Sequence, residues 1–261
     1  DAGMKYMVLT TRHHDGFCLY DSRVSDFTTV RTACGRDLVG EFVRACRTEG
    51  LRVGLYYSLL DWRFPGYHER TKYPESAEAL VRQAHAQMEE LMTRYGRIDL
   101  LFYDGGWLPD SLDAEVYGRF WRAKELNALV RRYQPQILIN DRAGVAEDFD
   151  TPEQVVTASA RGRGWVSCMT IGDHCTWGYA RHNPNRKSVC QLLQYLVNAA
   201  AGEGNFLLNV GPKGDGSIVR DERVRLEAMG DWLAVNGEAI YGCRRCDLVG
   251  HGEPGIIDFS L

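Results

Sequence analysis

Reactive side chains stand where apolar runs end. Leu100-Leu101-Phe102-Tyr103 runs into Asp104, which is followed by Gly105, Gly106 and Trp107. A carboxylate at a strand end, with glycines after it, can project into a pocket while the backbone comes close to a ligand. An ordinary Asp-Gly turn is an equal reading of the same residues. His13-His14-Asp15-Gly16 follows another apolar run. Adjacent side chains on an extended chain point to opposite sides, which makes joint ligation of one metal awkward. No H-E-x-x-H or comparable ligand set accompanies them, so no metal and no cofactor are expected. Hydrogen bonding to ligand hydroxyls suits the pair better, and a structural role for one of them is equally compatible. Asn140-Asp141-Arg142 sets a fixed cation after a third run. Arg142 could clamp a substrate oxygen, lower the pKa of a nearby carboxyl, or pair only with Asp141 or Glu153.

The elements needed to hold these residues are legible as an alternation. Short β-branched runs at Met7 to Thr11, Leu51 to Ser58, Ile98 to Tyr103, Gln136 to Ile139 and Asn205 to Val210 predict strands, with a sixth around Val166 to Ile171. Helical spacing lies between them. Leu38, Phe42, Ala45 and Cys46 predict one buried face, closed by Gly50, and Val81, Ala84, Met88, Met92 and Tyr95 predict another. Val116, Phe120 and Val130 predict a third. Ser188 to Gln191 reads as a capping box, with Leu192, Leu196 and Ala200 turned inward. Strand-then-helix order implies parallel strands covered by helices, and runs such as FLLNV suit sheets buried on both faces. An open doubly wound sheet and a closed (β/α)8 barrel share this signature. No G-x-G-x-x-G or P-loop follows a strand, and polar groups gather at the C-terminal ends of several strands, as a barrel active site requires. The expected fold is therefore an α/β (β/α)8 barrel, incomplete in this chain.

Bulk properties narrow the partners. The 261 residues carry a formal charge of -4, with Lys and Arg scattered rather than clustered, so neither nucleic acid nor an anionic membrane is an expected partner. No apolar run approaches the roughly 20 residues that span a bilayer. Of the 8 cysteines, Cys46 and Cys190 are expected on apolar helix faces, and Cys243 with Cys246 forms a lone C-x-x-C without the second pair of a zinc site. The chain opens at Asp1 and enters a strand within a few residues, so an upstream part is expected to be missing, and localisation is not readable. Homo-oligomer formation is left open.

The run Lys5-Tyr6-Met7-Val8-Leu9-Thr10-Thr11-Arg12-His13-His14-Asp15-Gly16-Phe17 resembles the K-Y-x-V-L-T-x-K-H-H-D-G-F signature of α-L-fucosidases, glycoside hydrolase family 29. Gly54 to Ser58 with Asp61-Trp62, Phe102 to Trp107, Asn140 to Arg142, Trp177-Gly178-Tyr179 and Asn205 to Gly216 are similar to further family segments in the same order. The resemblance runs from about Lys5 to Gly242.

That resemblance implies a retaining exo-α-L-fucosidase acting on terminal fucose of glycans, with Asp104 as nucleophile. It places His13, His14, Tyr56, Trp62 and Arg142 around fucose and nucleophile, and Trp177 near the C5 methyl. An apolar wall there would favour a 6-deoxy sugar by about 1–3 kcal/mol. Glu153 matches the acid/base position of one group of members, with Glu147 and Asp150 as rivals. Many relatives carry Glu where this chain has Val166, which keeps alive a non-catalytic carbohydrate-binding relative as the alternative. The family's first barrel strand and C-terminal β-sandwich are expected outside the chain. Residues 1–240 would be the partial barrel and 241–261 a linker or the start of a β domain. A barrel short of strands leaves edges bare, so the chain alone is expected to fold poorly.

Overall fold

The computed structural model describes residues 2–160, 162–173, 176–183 and 185–244. They fall into two compact units, Met4–Phe149 and Asp1–Gly3 with Asp150–Leu261.

In Met4–Phe149, β1 (Tyr6–Arg12), β2 (Arg52–Ser58), β3 (Leu100–Asp104) and β4 (Leu138–Ile139) pair in that order, all parallel. Parallel neighbours need crossovers, and helices supply them. α1 (Leu38–Thr48) joins β1 to β2, α2 (Pro65–His68) and α3 (Pro74–Arg94) join β2 to β3, and α4 (Ala114–Trp121) with α5 (Ala123–Tyr133) joins β3 to β4. The register sets Tyr56 beside Phe102 and Ser58 beside Asp104. Since side chains alternate along a strand, Val53, Leu55 and Tyr57 share a face with Leu101 and Tyr103. That face packs with Val43 and Cys46 of α1, Met88 of α3 and Val130 of α5 into one core. Tyr56, Ser58, Phe102 and Asp104 are thereby left on the opposite face, away from the helices.

The second unit carries β5 (Phe149–Asp150), which begins at the junction, then β6 (Gly164–Thr170) and β7 (Asn205–Asn209). β6 and β7 are parallel, with Thr170 beside Asn209. α6 (Val189–Ala201) opens on the expected capping box of Ser188 and Gln191, and α7 (Arg220–Asn236) follows β7. Ile171, Leu192 and Met229 form the core here, with Leu196, Phe206 and Leu208 packed against it. The fold is α/β with parallel sheets. No helix among the described residues is long and apolar enough to cross a membrane.

Three expectations change. The buried face of α1 is Val39, Val43 and Cys46, with Ala45 exposed. Asp37 caps the helix by accepting from Gly40 N at 2.8 Å and also accepts the Tyr95 hydroxyl at 2.8 Å, and those anchors set the rotation of the helix. The single helix expected across Val116 to Val130 is two, because Arg122 adopts φ +51° and the axis turns there. Cys46 is buried as expected, but Cys190 is exposed in the first turn of α6. Cys246, and residues 245–261 of the expected linker, lie outside the described residues.

Candidate active site

β3 delivers Asp104 as its last residue, 9% exposed. Both carboxylate oxygens are engaged. The Tyr56 hydroxyl donates to Oδ2 at 2.6 Å, and Arg142 Nη1 donates to Oδ1 at 2.9 Å. Charge-assisted hydrogen bonds of this kind are about twice as strong as neutral ones and fix the direction of the carboxylate. Planar groups brace the arrangement. His13 stacks on Tyr56 with ring centroids 5.7 Å apart, Tyr56 stacks on Phe102 at 6.0 Å, and the Arg142 guanidinium lies 5.2 Å over Phe102.

His14 approaches from β1. Its Nε2 is 3.8 Å from Asp104 Oδ2, and its Nδ1 is 2.6 Å from Ser58 Oγ. Trp62, 57% exposed, stands edge-on to the His14 ring at 5.6 Å, and Trp107 does so at 5.9 Å. Burial first, then the charges of His13 and Arg12, hold the His14 imidazolium down to about 4 against the pull of Asp104. The ring is therefore neutral at pH 7.

The histidine pair overturns one argument made from extended geometry. β1 ends at Arg12, and residues 13–16 make a turn closed by Gly16 N donating to the His13 carbonyl at 3.0 Å. In that turn the two rings converge, with centroids 4.0 Å apart. One ligand atom each from His13, His14 and Asp104 lies within 4.8 Å of the others, a spacing that could hold a metal ion. The chemistry around Asp104 opposes one: Arg142 already puts a fixed cation on Oδ1, and a second cation beside it would be repelled.

Behind the histidines is a buried cluster that sequence reading missed. Arg12 and Asp61 are fully buried, and Arg12 Nη2 donates to Asp61 Oδ2 at 2.6 Å. Arg63 donates to the same carboxylate through Nε at 3.0 Å and Nη2 at 2.6 Å. Burial pushes the Asp61 carboxyl up, but the hydrogen bonds and charges of Arg63 and Arg12 outweigh it and hold the group below its ordinary value. Gly16 sits against this cluster with φ +77°, where a Cβ would fall 2.3 Å from Asp61 Oδ2. No local signal joins Arg12 to Asp61, since 49 positions separate them.

Gly106 has a comparable reason to be glycine, since a Cβ there would fall 2.0 Å from the Arg142 carbonyl oxygen. Backbone cannot yield as a flexible side chain does, so Gly106→Ala is expected to push the Arg142 segment away from Asp104. The expected cost is about 1–3 kcal/mol of stability, measured by denaturant unfolding, together with loss of any activity that needs the Arg142–Asp104 bond. An unchanged midpoint would show that the segment gives way freely.

The other expected site residues lie in the second unit. Glu153 is exposed, and its backbone bridges to Cys168 of β6. Trp177 is half-buried in the segment between β6 and α6. Of the rival carboxyls, Glu147 accepts from Asn127 Nδ2 at 2.8 Å and from Arg131 Nη2 at 2.7 Å. Asp150 accepts from Arg163 Nε at 2.9 Å. Burial raises the Asp150 carboxyl, yet the bonds from Arg163 and Ser159 prevail and keep it below its usual range. A carboxyl held ionised in this way is a poor proton donor. Val166 is buried within β6.

Comparison with known proteins places this geometry in context. A family model described as Alpha-L-fucosidase matches residues 1–238. The rat tissue alpha-L-fucosidase (Rattus norvegicus) is 34% identical over 257 residues, which cover 93% of this chain and 54% of the rat protein. The chain thus spans about half the length of the curated relatives it matches. Among solved structures, alpha-L-fucosidase isoenzyme 1 from Paenibacillus thiaminolyticus superposes with a TM-score of 0.84 at 36% identity, over 95% of this chain and 64% of that one. A Bacteroides thetaiotaomicron alpha-L-fucosidase of glycoside hydrolase family 29 superposes with a TM-score of 0.83 at 26% identity, over 94% of this chain and 60% of that one. That crystal structure is of a covalent intermediate trapped with 2-fluoro-fucosyl fluoride in a glutamate-to-glutamine mutant.

Proposed function

Because the chain belongs to the α-L-fucosidase family, we propose that it carries the catalytic site of a retaining exo-α-L-fucosidase, which removes terminal α-L-fucose from fucosylated glycans. The observation that carries this reading is the setting of Asp104: a strand-end carboxylate, largely buried, aimed by Tyr56 and Arg142 and flanked by His13 and His14. Such a carboxylate can attack an anomeric carbon. As the bond from Asp104 to C1 forms, the bond from C1 to the aglycone oxygen breaks, and that oxygen takes a proton from the acid/base.

Glu153 is proposed for that second role, which requires the two carboxyls to stand about 5–5.5 Å apart in the working site. The choice of Glu153 rests on the family resemblance of its segment; the rivals are Glu147, bonded by Asn127 and Arg131, and Asp150, bonded by Arg163. In the second step Glu153 takes a proton from water, which attacks C1 and frees Asp104. Trp177 is proposed as the apolar wall for the C5 methyl, and Trp62 as a wall beside His14. The trapped intermediate of the Bacteroides protein supports double displacement here. No metal or other cofactor has a step in this scheme. A (β/α)8 barrel over residues 1–240, with 241–261 leading into a β domain, belongs to the same proposal. The strand-then-helix order and the fucosidase structures that superpose on most of the chain support it.

The test follows an aryl α-L-fucoside by proton NMR. Fucose should appear first as its α anomer and only later mutarotate. First appearance of the β anomer would mean direct displacement by water. Fucose binding without turnover would select the carbohydrate-binding alternative.

A further inference from the structure

Ser58 ends β2 on the face that bears Asp104, and its fully buried hydroxyl stands between two partners. Oγ is 2.6 Å from His14 Nδ1 and 3.0 Å from the Leu60 carbonyl oxygen. A serine hydroxyl has one hydrogen to give. Leu60 is buried, and a buried carbonyl left without a donor is costly. With the hydrogen directed to Leu60, Oγ must accept from His14, and the imidazole proton sits on Nδ1.

We propose that Ser58 is a positioning residue which fixes His14 as the Nδ1–H tautomer, so that Nε2 accepts a hydrogen bond from a sugar hydroxyl. The surroundings of Nε2 fit this role. Its gap of 3.8 Å to Asp104 Oδ2 is too long for a hydrogen bond, and Oδ2 already accepts the Tyr56 hydroxyl at 2.6 Å. Two acceptors facing each other across that gap repel until a donor enters, and a ligand hydroxyl is such a donor.

The buried cluster behind the site keeps the contact from being a chance rotamer. Arg12 Nη1 donates to the Ser58 carbonyl at 2.6 Å, while Arg12 Nη2 and Arg63 converge on Asp61. Trp62 N donates to the His14 carbonyl at 2.9 Å. The backbones of Ser58 and His14 are thus tied to the same loop region, while the Arg12 charge also acts on the His14 ring directly. The neutral state of His14 agrees with one protonated and one bare ring nitrogen.

The proposal rests on the fucosidase reading for the identity of the hydroxyl, but the tautomer measurement that tests it does not. Long-range proton–nitrogen correlation spectra of histidine-labelled protein, without substrate, read each ring nitrogen directly, and His14→Gln assigns the His14 signals. At pH 7 His14 should show Nδ1 protonated and Nε2 bare. In Ser58→Ala the proton should move to Nε2, where it can point at Asp104, while Ser58→Thr keeps the original pattern. KM for an aryl α-L-fucoside should rise roughly tenfold in Ser58→Ala with a smaller change in kcat, and recover in Ser58→Thr. A proton on Nε2 in the parent, or an identical pattern in Ser58→Ala, would overturn the proposal. A protein with the expected tautomer but no turnover would instead count against the fucosidase reading alone.

Discussion

Replacing Asp104 by glycine is expected to lower turnover of an aryl α-L-fucoside at least about a thousandfold, because a double displacement without its nucleophile has no first step. The site that remains is suited to a small anion. Arg142 Nη1 and the Tyr56 hydroxyl, which donate to the carboxylate at 2.9 and 2.6 Å, would face the vacated volume with a positive charge and a hydrogen-bond donor. Azide should enter there, attack C1 from the nucleophile's side and restore consumption of the fucoside. Single displacement inverts the centre, so the product should be β-L-fucosyl azide. Activity close to the parent's in Asp104→Gly would remove Asp104 from the chemistry. Loss of activity with no azide product would leave it a binding group rather than a nucleophile.

The second large effect is expected at Glu153 and should depend on the substrate. General acid catalysis contributes typically about 10²–10⁴-fold. Glu153→Ala should lose activity in that range on natural fucosides, whose leaving oxygen needs a proton. Aryl fucosides with acidic phenols need little assistance to depart, so their first step should suffer far less and the fucosyl-enzyme should accumulate. Azide should then capture that intermediate from the opposite face, and the product should be α-L-fucosyl azide. The two azide anomers separate the roles: β from the Asp104 variant and α from the Glu153 variant. An equal loss on good and poor leaving groups would move the acid/base role elsewhere. Glu147 and Asp150 are weak successors, since Arg131 and Asn127 hold the first and Arg163 the second.

Both experiments depend on the precision with which Asp104 is held. Its carboxylate is fixed from a neighbouring strand and a loop, by Tyr56 of β2 and by Arg142 beyond β4. Gly106 lets the Arg142 backbone come close enough to do so. Small displacements of any of these would misaim the attacking oxygen, and orientation accounts for much of what an enclosed site adds to a reaction.

Much of this was legible along the chain. The alternation of β-branched runs with helical spacing locates β1, β2, β3, β4, β6 and β7, because strand and helix periods are local properties of side-chain pattern. The capping box at Ser188 is legible for the same reason, being contained in four residues. Asp104, Arg142 and the two histidines stand out because each follows an apolar run, and parallel strands ordered side by side bring such ends together.

What lay beyond the sequence depends on phase and on distance. Period does not set phase, so α1 buries Val39 and Val43 where pattern alone pointed to Leu38 and Ala45, and the cap at Asp37 decides between them. The break at Arg122 is a single left-handed residue whose cost is met by packing on both sides. His13 and His14 converge only because the strand ends one residue earlier and the chain turns. Arg12 joins Ser58 and Asp61 into one support beneath His14 through contacts that span more than forty positions, and Arg63 adds a local bond to Asp61. The sequence by itself determined the element types, their order and the reactive groups at strand ends, since these follow from neighbours in the chain. Tertiary structure alone decided which hydrogen bond each of those groups makes, because a buried charge or a ring proton is assigned by the partners that folding brings to it.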